Sequence, residues 1–80
     1  MEQKEKNRQT VKNINVNEID IDIDLIKRMV EWDRRNRILE DWKFKVMQDV
    51  AIGLKPLTDK LKWGFRLNLK ALLKRGFDEL

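Results

Sequence analysis

The spacing of apolar and polar positions changes along the chain and predicts where helices form. From Leu25 onward, apolar residues recur at alternating steps of four and three, which is the heptad pattern of a helix packed along one stripe. The pattern predicts a long first helix over residues 25–50. We expect it to end before Gly53, a residue common just after helices, and Pro56, which disfavours helical geometry in the residue before it.

A second apolar stripe follows this loop and predicts a shorter helix. Pro56 or Thr58 can open that helix, and Gly76 is placed to end it. Basic residues share the side opposite the apolar stripe, so the helix is amphipathic. Trp63 and Leu67 extend the apolar surface around the helix, which predicts contact with two neighbours, as in a dimeric bundle or a partner groove.

The segment before the first helix supports two expectations that can both hold. Residues 14–24 alternate Ile or Val with Asn, Glu or Asp, which is the period of a short half-buried strand. Asp22 or Asp24 can also cap the helix that follows. Residues 1–13 are polar, basic and without a period, so we predict a flexible tail there and a single small helical domain over residues 14–80.

Polar residues inside the first apolar stripe leave two interpretations of that helix. We predict a continuous helix, in which Asn36 and Lys43 would set the register and the number of associating helices. The alternative is a break near Asn36, which would then be a left-handed C-terminal cap. In that case Glu40 or Asp41 would begin another helix.

The predicted fold is an all-α helical hairpin with a long helix, a tight loop containing Gly and Pro, and a shorter basic helix. A chain of 80 residues buries only about 60% of its unfolded surface. With 0 Cys and 0 His, the chain lacks the usual disulfide and metal staples, so we expect a homodimer. The residues expected to form its self-association surface are Leu25, Met29, Trp32, Asn36, Leu39, Val46, Val50, Leu61, Phe65, Leu69 and Leu72.

Charge is abundant and unevenly distributed. The chain has 18 Lys and Arg against 14 Asp and Glu, and residues 57–76 hold six basic residues against one acidic residue. This excess favours acidic partners, with an acidic protein first, nucleic acid second and an anionic membrane surface third. The residues expected to make these electrostatic contacts are Arg34, Arg35, Arg37, Lys62, Arg66 and Lys70.

Few side chains in this sequence can act in catalysis. The sequence has no Ser, Cys, His or Tyr, and its only hydroxyl side chains are Thr10 and Thr58, so we expect no enzyme. Its isolated glycines form no phosphate-binding loop, so we expect no cofactor. Acids from Asp20 to Glu31 have the spacing of a calcium-binding EF-hand, but Leu25 stands where that loop needs Gly. We therefore expect no metal site.

Residues 16–54 resemble the ribbon-helix-helix regulators in the order of their elements. A strand-like segment around Ile21 precedes a helix through Trp32, a turn near Asn36 and a helix through Val50. The resemblance implies a homodimeric regulator or antitoxin whose paired strands enter the major groove of DNA. The residues facing the groove would include Asp20 and its acidic neighbours, which phosphates repel.

The start of the chain bears on location. It is polar and lacks the apolar run of a secretory signal, so we expect a cytoplasmic protein.

The function predicted from the sequence is a small, non-enzymatic regulatory or adaptor protein that binds an acidic macromolecule. A DNA-binding regulator of the ribbon-helix-helix type and a peripheral membrane protein are the alternatives.

Overall fold

Residues 15–80 are described by a computed structural model, and this part of the chain is all-helical. A short 3-10 helix precedes three α-helices that account for most of the described residues. They are the 3-10 helix Val16–Glu18, α1 over Ile23–Asn36, α2 over Asp41–Ala51 and α3 over Asp59–Lys74. The predicted flexible tail, residues 1–13, lies outside the described residues.

The predicted continuous first helix is wrong, because α1 ends at Asn36. Arg37 adopts the left-handed conformation, with φ 52° and ψ 53°, and its backbone N–H donates to the carbonyl of Asp33. The Asp33 carboxylate is only 2% exposed and accepts the N–H groups of Ile38 at 2.8 Å and Leu39 at 3.1 Å. The alternative of a break near Asn36 is confirmed, with Arg37 in the left-handed position one residue later.

Both predicted N-terminal caps are confirmed. The Asp22 carboxylate accepts the Leu25 N–H at 2.8 Å and begins α1. The Thr58 hydroxyl accepts the Leu61 N–H at 3.2 Å and begins α3. Each side chain satisfies a backbone donor that has no partner inside the first helical turn, and this is why short oxygen-bearing side chains stand at these positions.

The predicted strand over residues 14–24 is wrong where the structure describes it, since residues 15–80 contain no strand. Val16–Glu18 form the 3-10 helix, while Ile14 lies outside the described residues. Of the alternating isoleucines, Ile21 is completely buried in the core, Ile19 is partly buried and Ile23 is exposed.

The predicted glycine stops are confirmed at α2 and α3. Gly53 and Gly76 have φ values of 86° and 107°, which residues with a Cβ rarely adopt. After α3, the N–H of Gly76 donates to the Leu73 carbonyl at 3.3 Å and that of Phe77 to the Leu72 carbonyl at 3.0 Å. These two bonds form a Schellman motif, which reverses the chain and returns Phe77 to the core.

One hydrophobic core joins the helices. Helix α1 packs mainly on α2, whereas α3 packs on α1 and on the 3-10 helix. Phe77 packs edge to face against Trp32 with ring centroids 5.7 Å apart, so the C-terminal segment belongs to the fold. The buried apolar residues are Ile21, Leu25, Ile26, Met29, Val30, Trp32, Met47, Val50, Phe65, Leu69, Leu72 and Phe77.

Candidate docking surface on helices α2 and α3

Most residues that the sequence assigned to self-association lie in the chain's own core. The buried members of that set are Leu25, Met29, Trp32, Val50, Phe65, Leu69 and Leu72. Leu39, Val46 and Leu61 are half-buried, and exposed Asn36 donates its side-chain amide to the Trp32 carbonyl at 2.8 Å. The break after α1 lets one chain fold its apolar stripe against itself, so a homodimer, which stays a prediction, would use other surfaces.

The arginines of α1 are engaged within the chain. Arg34 pairs with Glu31 at 2.8 Å, one turn earlier on the same helix. Arg35 reaches Glu79 at 3.5 Å, across the gap between α1 and the C-terminal segment. Arg37 follows α1, and its left-handed backbone forms the turn to α2. Three of the six residues predicted to contact a partner therefore take part in the fold.

The basic residues of α3 are arranged differently. Lys62 and Arg66 are half-buried and Lys70 is exposed, and the i, i+4, i+8 spacing places all three along one side of the helix. Within residues 15–80, no carboxylate lies within ion-pair distance of these groups. The predicted docking residues on α3 therefore remain together as a basic stripe.

Arg66, the middle residue of this stripe, lies over an aromatic ring. Its guanidinium carbon lies 5.1 Å from the centre of the Trp63 ring, a cation–π arrangement. The Arg66 Nε is buried and makes no hydrogen bond within residues 15–80. Because the ring displaces water from one side of the guanidinium, a carboxylate that reached it would form a charge-assisted hydrogen bond at reduced desolvation cost.

An apolar groove of about 180 Å³ separates α2 from α3. Trp42 and Leu67 line the groove with 63% and 68% of their surface exposed. Trp63, one turn before Leu67 on α3, is 58% exposed. The lining residues are Trp42, Lys43, Val46, Leu61, Gly64, Phe65, Leu67 and Asn68. The Lys43 ammonium lies 5.6 Å from the centre of the Trp42 ring, so this edge also pairs an aromatic residue with a cation.

Sequence reasoning found part of this surface. The apolar extension at Trp63 and Leu67 predicted a second neighbour for α3. Both residues are exposed, and Leu67 lines the groove. Trp42 is 63% exposed in the first turn of α2, the helix that begins after the turn at Arg37. Gly64 was missed, because an isolated glycine in a helix pattern carries no local sign that it lines a groove.

Comparison with known proteins finds no matching family model, no matching curated protein and no matching solved structure. Among the helices within residues 15–80, none has the length and apolar content that crossing a membrane requires. In the same part of the chain, no three acidic side chains cluster closely enough to hold a metal ion together. The basic stripe and the groove are therefore the features of the described residues that bear on function.

Proposed function

We propose that the chain is a small, non-enzymatic regulatory or adaptor protein that docks on an acidic protein partner through α3. The observation that supports this most directly is the contrast in pairing. The arginines of α1 reach carboxylates of the chain itself, whereas Lys62, Arg66 and Lys70 have no such partner within residues 15–80. A cluster of like charges without local counter-charges attracts a complementary surface and speeds its encounter.

Nucleic acid is the second candidate, because exposed Trp63 lies beside Arg66 and a base can stack on such a ring. The paired strands implied by the ribbon-helix-helix resemblance are not present in residues 15–80. DNA would then contact α3 through its phosphates without base readout. The acidic protein remains first because α3 also lines an apolar groove, on a different side of the helix from the stripe, and phosphates do not fill such a groove.

Charge reversal on α3 tests this proposal. The variant Arg66→Glu with Lys70→Glu should weaken binding to immobilised polyglutamate by about tenfold or more, since like charges would then face each other. The matched control is Lys27→Glu with Lys55→Glu, which makes the same change in net charge at exposed positions outside α3. Binding is measured at low and moderate salt, and circular dichroism checks that each variant is folded.

The control separates a local docking surface from a general charge effect. The control pair should retain most of the affinity of the unmodified chain. Equal losses in both variants would contradict docking through α3. The chain could instead bind a random DNA duplex more tightly than polyglutamate. If reversal of the α3 charges abolished that binding, nucleic acid would become the first candidate.

A further inference from the structure

The groove between α2 and α3 has the shape of a helix-binding site. The two helices flank it without close packing of their backbones, and its lining is mainly apolar. At Gly64, an added Cβ would meet no atom of the described residues within 4 Å, so the groove is open at that point of α3. A glycine facing an open groove lets a partner's backbone or a bulky side chain approach α3 closely.

We propose that this groove binds one amphipathic, acidic α-helix of the partner, with a bulky apolar side chain seated over Gly64. This inference rests on the proposed function and names the part of the acidic partner that is recognised. A helix-in-groove complex joins an apolar face to a hydrophobic channel and leaves the polar flanks of the helix at the rim. Trp42 and Leu67 supply that channel's exposed edges.

The dimensions fit a short helix. At about 1.5 Å per residue, the 11 residues of α2 extend about 16 Å and the 16 residues of α3 about 24 Å. A partner helix of three to four turns would therefore cover the groove. The concave surface between two helices suits a convex rod, whereas a flat bilayer would touch only the raised edges at Trp42 and Leu67.

Charge complementarity determines which helix fits. Lys43 lines the groove and pairs with Glu40 at 3.4 Å, while no carboxylate is among the lining residues within the described part of the chain. Helical spacing places Lys60 and Lys74 on the side of α3 that carries Gly64 and Leu67, so cations flank the apolar channel. Acidic residues beside the apolar face of the bound helix would meet these cations at the rim.

Pairing of two copies of the chain through their α3 helices is disfavoured. Helix α3 holds five basic residues and a single acid, Asp59, so pairing two copies of α3 would bring like charges together. Such juxtaposition opposes association. The positive charge of α3 therefore favours an acidic molecule as the occupant.

The test uses three synthetic probes against the full chain. The first is a helical peptide of about 18 residues of Ala, Glu and Leu with its leucines on one face, long enough to span the groove. The second has the same composition in scrambled order, and the third is polyglutamate. We expect the full chain to bind the amphipathic peptide at least tenfold more tightly than the scrambled one, because only the first presents an apolar face.

Filling the groove should remove this preference. Gly64→Leu places a side chain in the open space, and Trp42→Ala removes an exposed edge; each should weaken the amphipathic complex about tenfold or more. Binding of polyglutamate should stay unchanged in both variants. The matched control, Gln48→Leu, adds leucine to α2 outside the groove lining without changing charge and should bind as the unmodified chain does.

Indole N–H resonances provide the structural readout. Those of Trp42 and Trp63 should shift on addition of the amphipathic peptide, while that of buried Trp32 should stay nearly constant. Unchanged peptide affinity in Gly64→Leu, or equal affinity for the scrambled peptide, would overturn the groove proposal. A dimer in sedimentation that Gly64→Leu dissociates would overturn the proposal in favour of a second copy of the chain. Preferential binding to phosphatidylglycerol vesicles would overturn it in favour of a membrane surface.

These outcomes are distinct from failure of the proposed function. If polyglutamate binds and loses affinity on reversal of Arg66 and Lys70, docking through α3 stands even when the groove variants have no effect. If polyglutamate and both peptides fail to bind, docking on an acidic protein is wrong as well.

Discussion

Helices α1 and α3 are both rich in basic residues but differ in whether those residues form ion pairs within the chain. In α1, Arg28 pairs with Asp24 at 3.0 Å and Arg34 with Glu31 at 2.8 Å, because each arginine follows an acid by one helical turn. In α3 the only acid, Asp59, lies in the first turn, and no ion pair forms there within the described residues. The position of acids along a helix therefore decides whether its cations remain open to a partner.

The C-terminal segment adds to this difference. Arg28 donates to the Glu79 carbonyl at 2.6 Å, and Arg35 reaches the Glu79 carboxylate at 3.5 Å. Phe77 anchors the segment in the core close to Trp32. Exposed ion pairs contribute little to stability, about 0–1 kcal/mol each. Their larger consequence is that they occupy arginines of α1, whereas the basic residues of α3 form no ion pair within residues 15–80.

Loss of the Phe77 anchor should destabilise the fold the most, because Phe77 holds the C-terminal segment in the core. Phe77→Ala should lower the free energy of unfolding by about 3–5 kcal/mol, since it removes a buried ring and leaves a cavity beside Trp32. Urea unfolding followed by circular dichroism measures it. Phe77→Leu keeps most of the volume and should cost less than half as much. An Ala variant as stable as the original would mean that the segment is not packed as described.

The second effect concerns the turn that separates α1 from α2. Asp33→Ala should lower the free energy of unfolding by about 1–3 kcal/mol, because the N–H groups of Ile38 and Leu39 lose their acceptor. Asp33→Asn keeps one oxygen acceptor and should cost less. The measurement is again urea unfolding. A cost for Asn as large as that for Ala would argue that the negative charge matters more than the two hydrogen bonds.

The smallest effect compares the two helices directly. Arg28→Ala should destabilise the fold by about 1 kcal/mol, because its bond to the Glu79 carbonyl ties α1 to the C-terminal segment. Lys70→Ala, on the open stripe of α3, should change stability by less than about 0.5 kcal/mol in either direction. Thermal unfolding of both variants checks the pair. A larger loss for Lys70→Ala would indicate an intrachain role for the α3 stripe.

Local sequence was enough to predict the helical class and most helix ends. Caps at Asp22 and Thr58 and the stops at Gly53 and Gly76 depend on hydrogen bonds and backbone angles within a few residues, so local chemistry is enough to predict them. The basic character of α3 likewise follows from composition alone. For these features, no distant part of the chain needs to be known.

Packing of the whole chain sets where the first apolar stripe breaks and which residues face outward. A continuous heptad pattern suits one helix, yet the Asp33 carboxylate reaches two N–H groups in the turn, and the folded chain then buries both halves of the stripe. The pairing of Arg35 with Glu79 joins residues 44 positions apart. Such contacts depend on the path of the whole chain, because burial and long-range pairing are properties of the packed helices and not of any one of them.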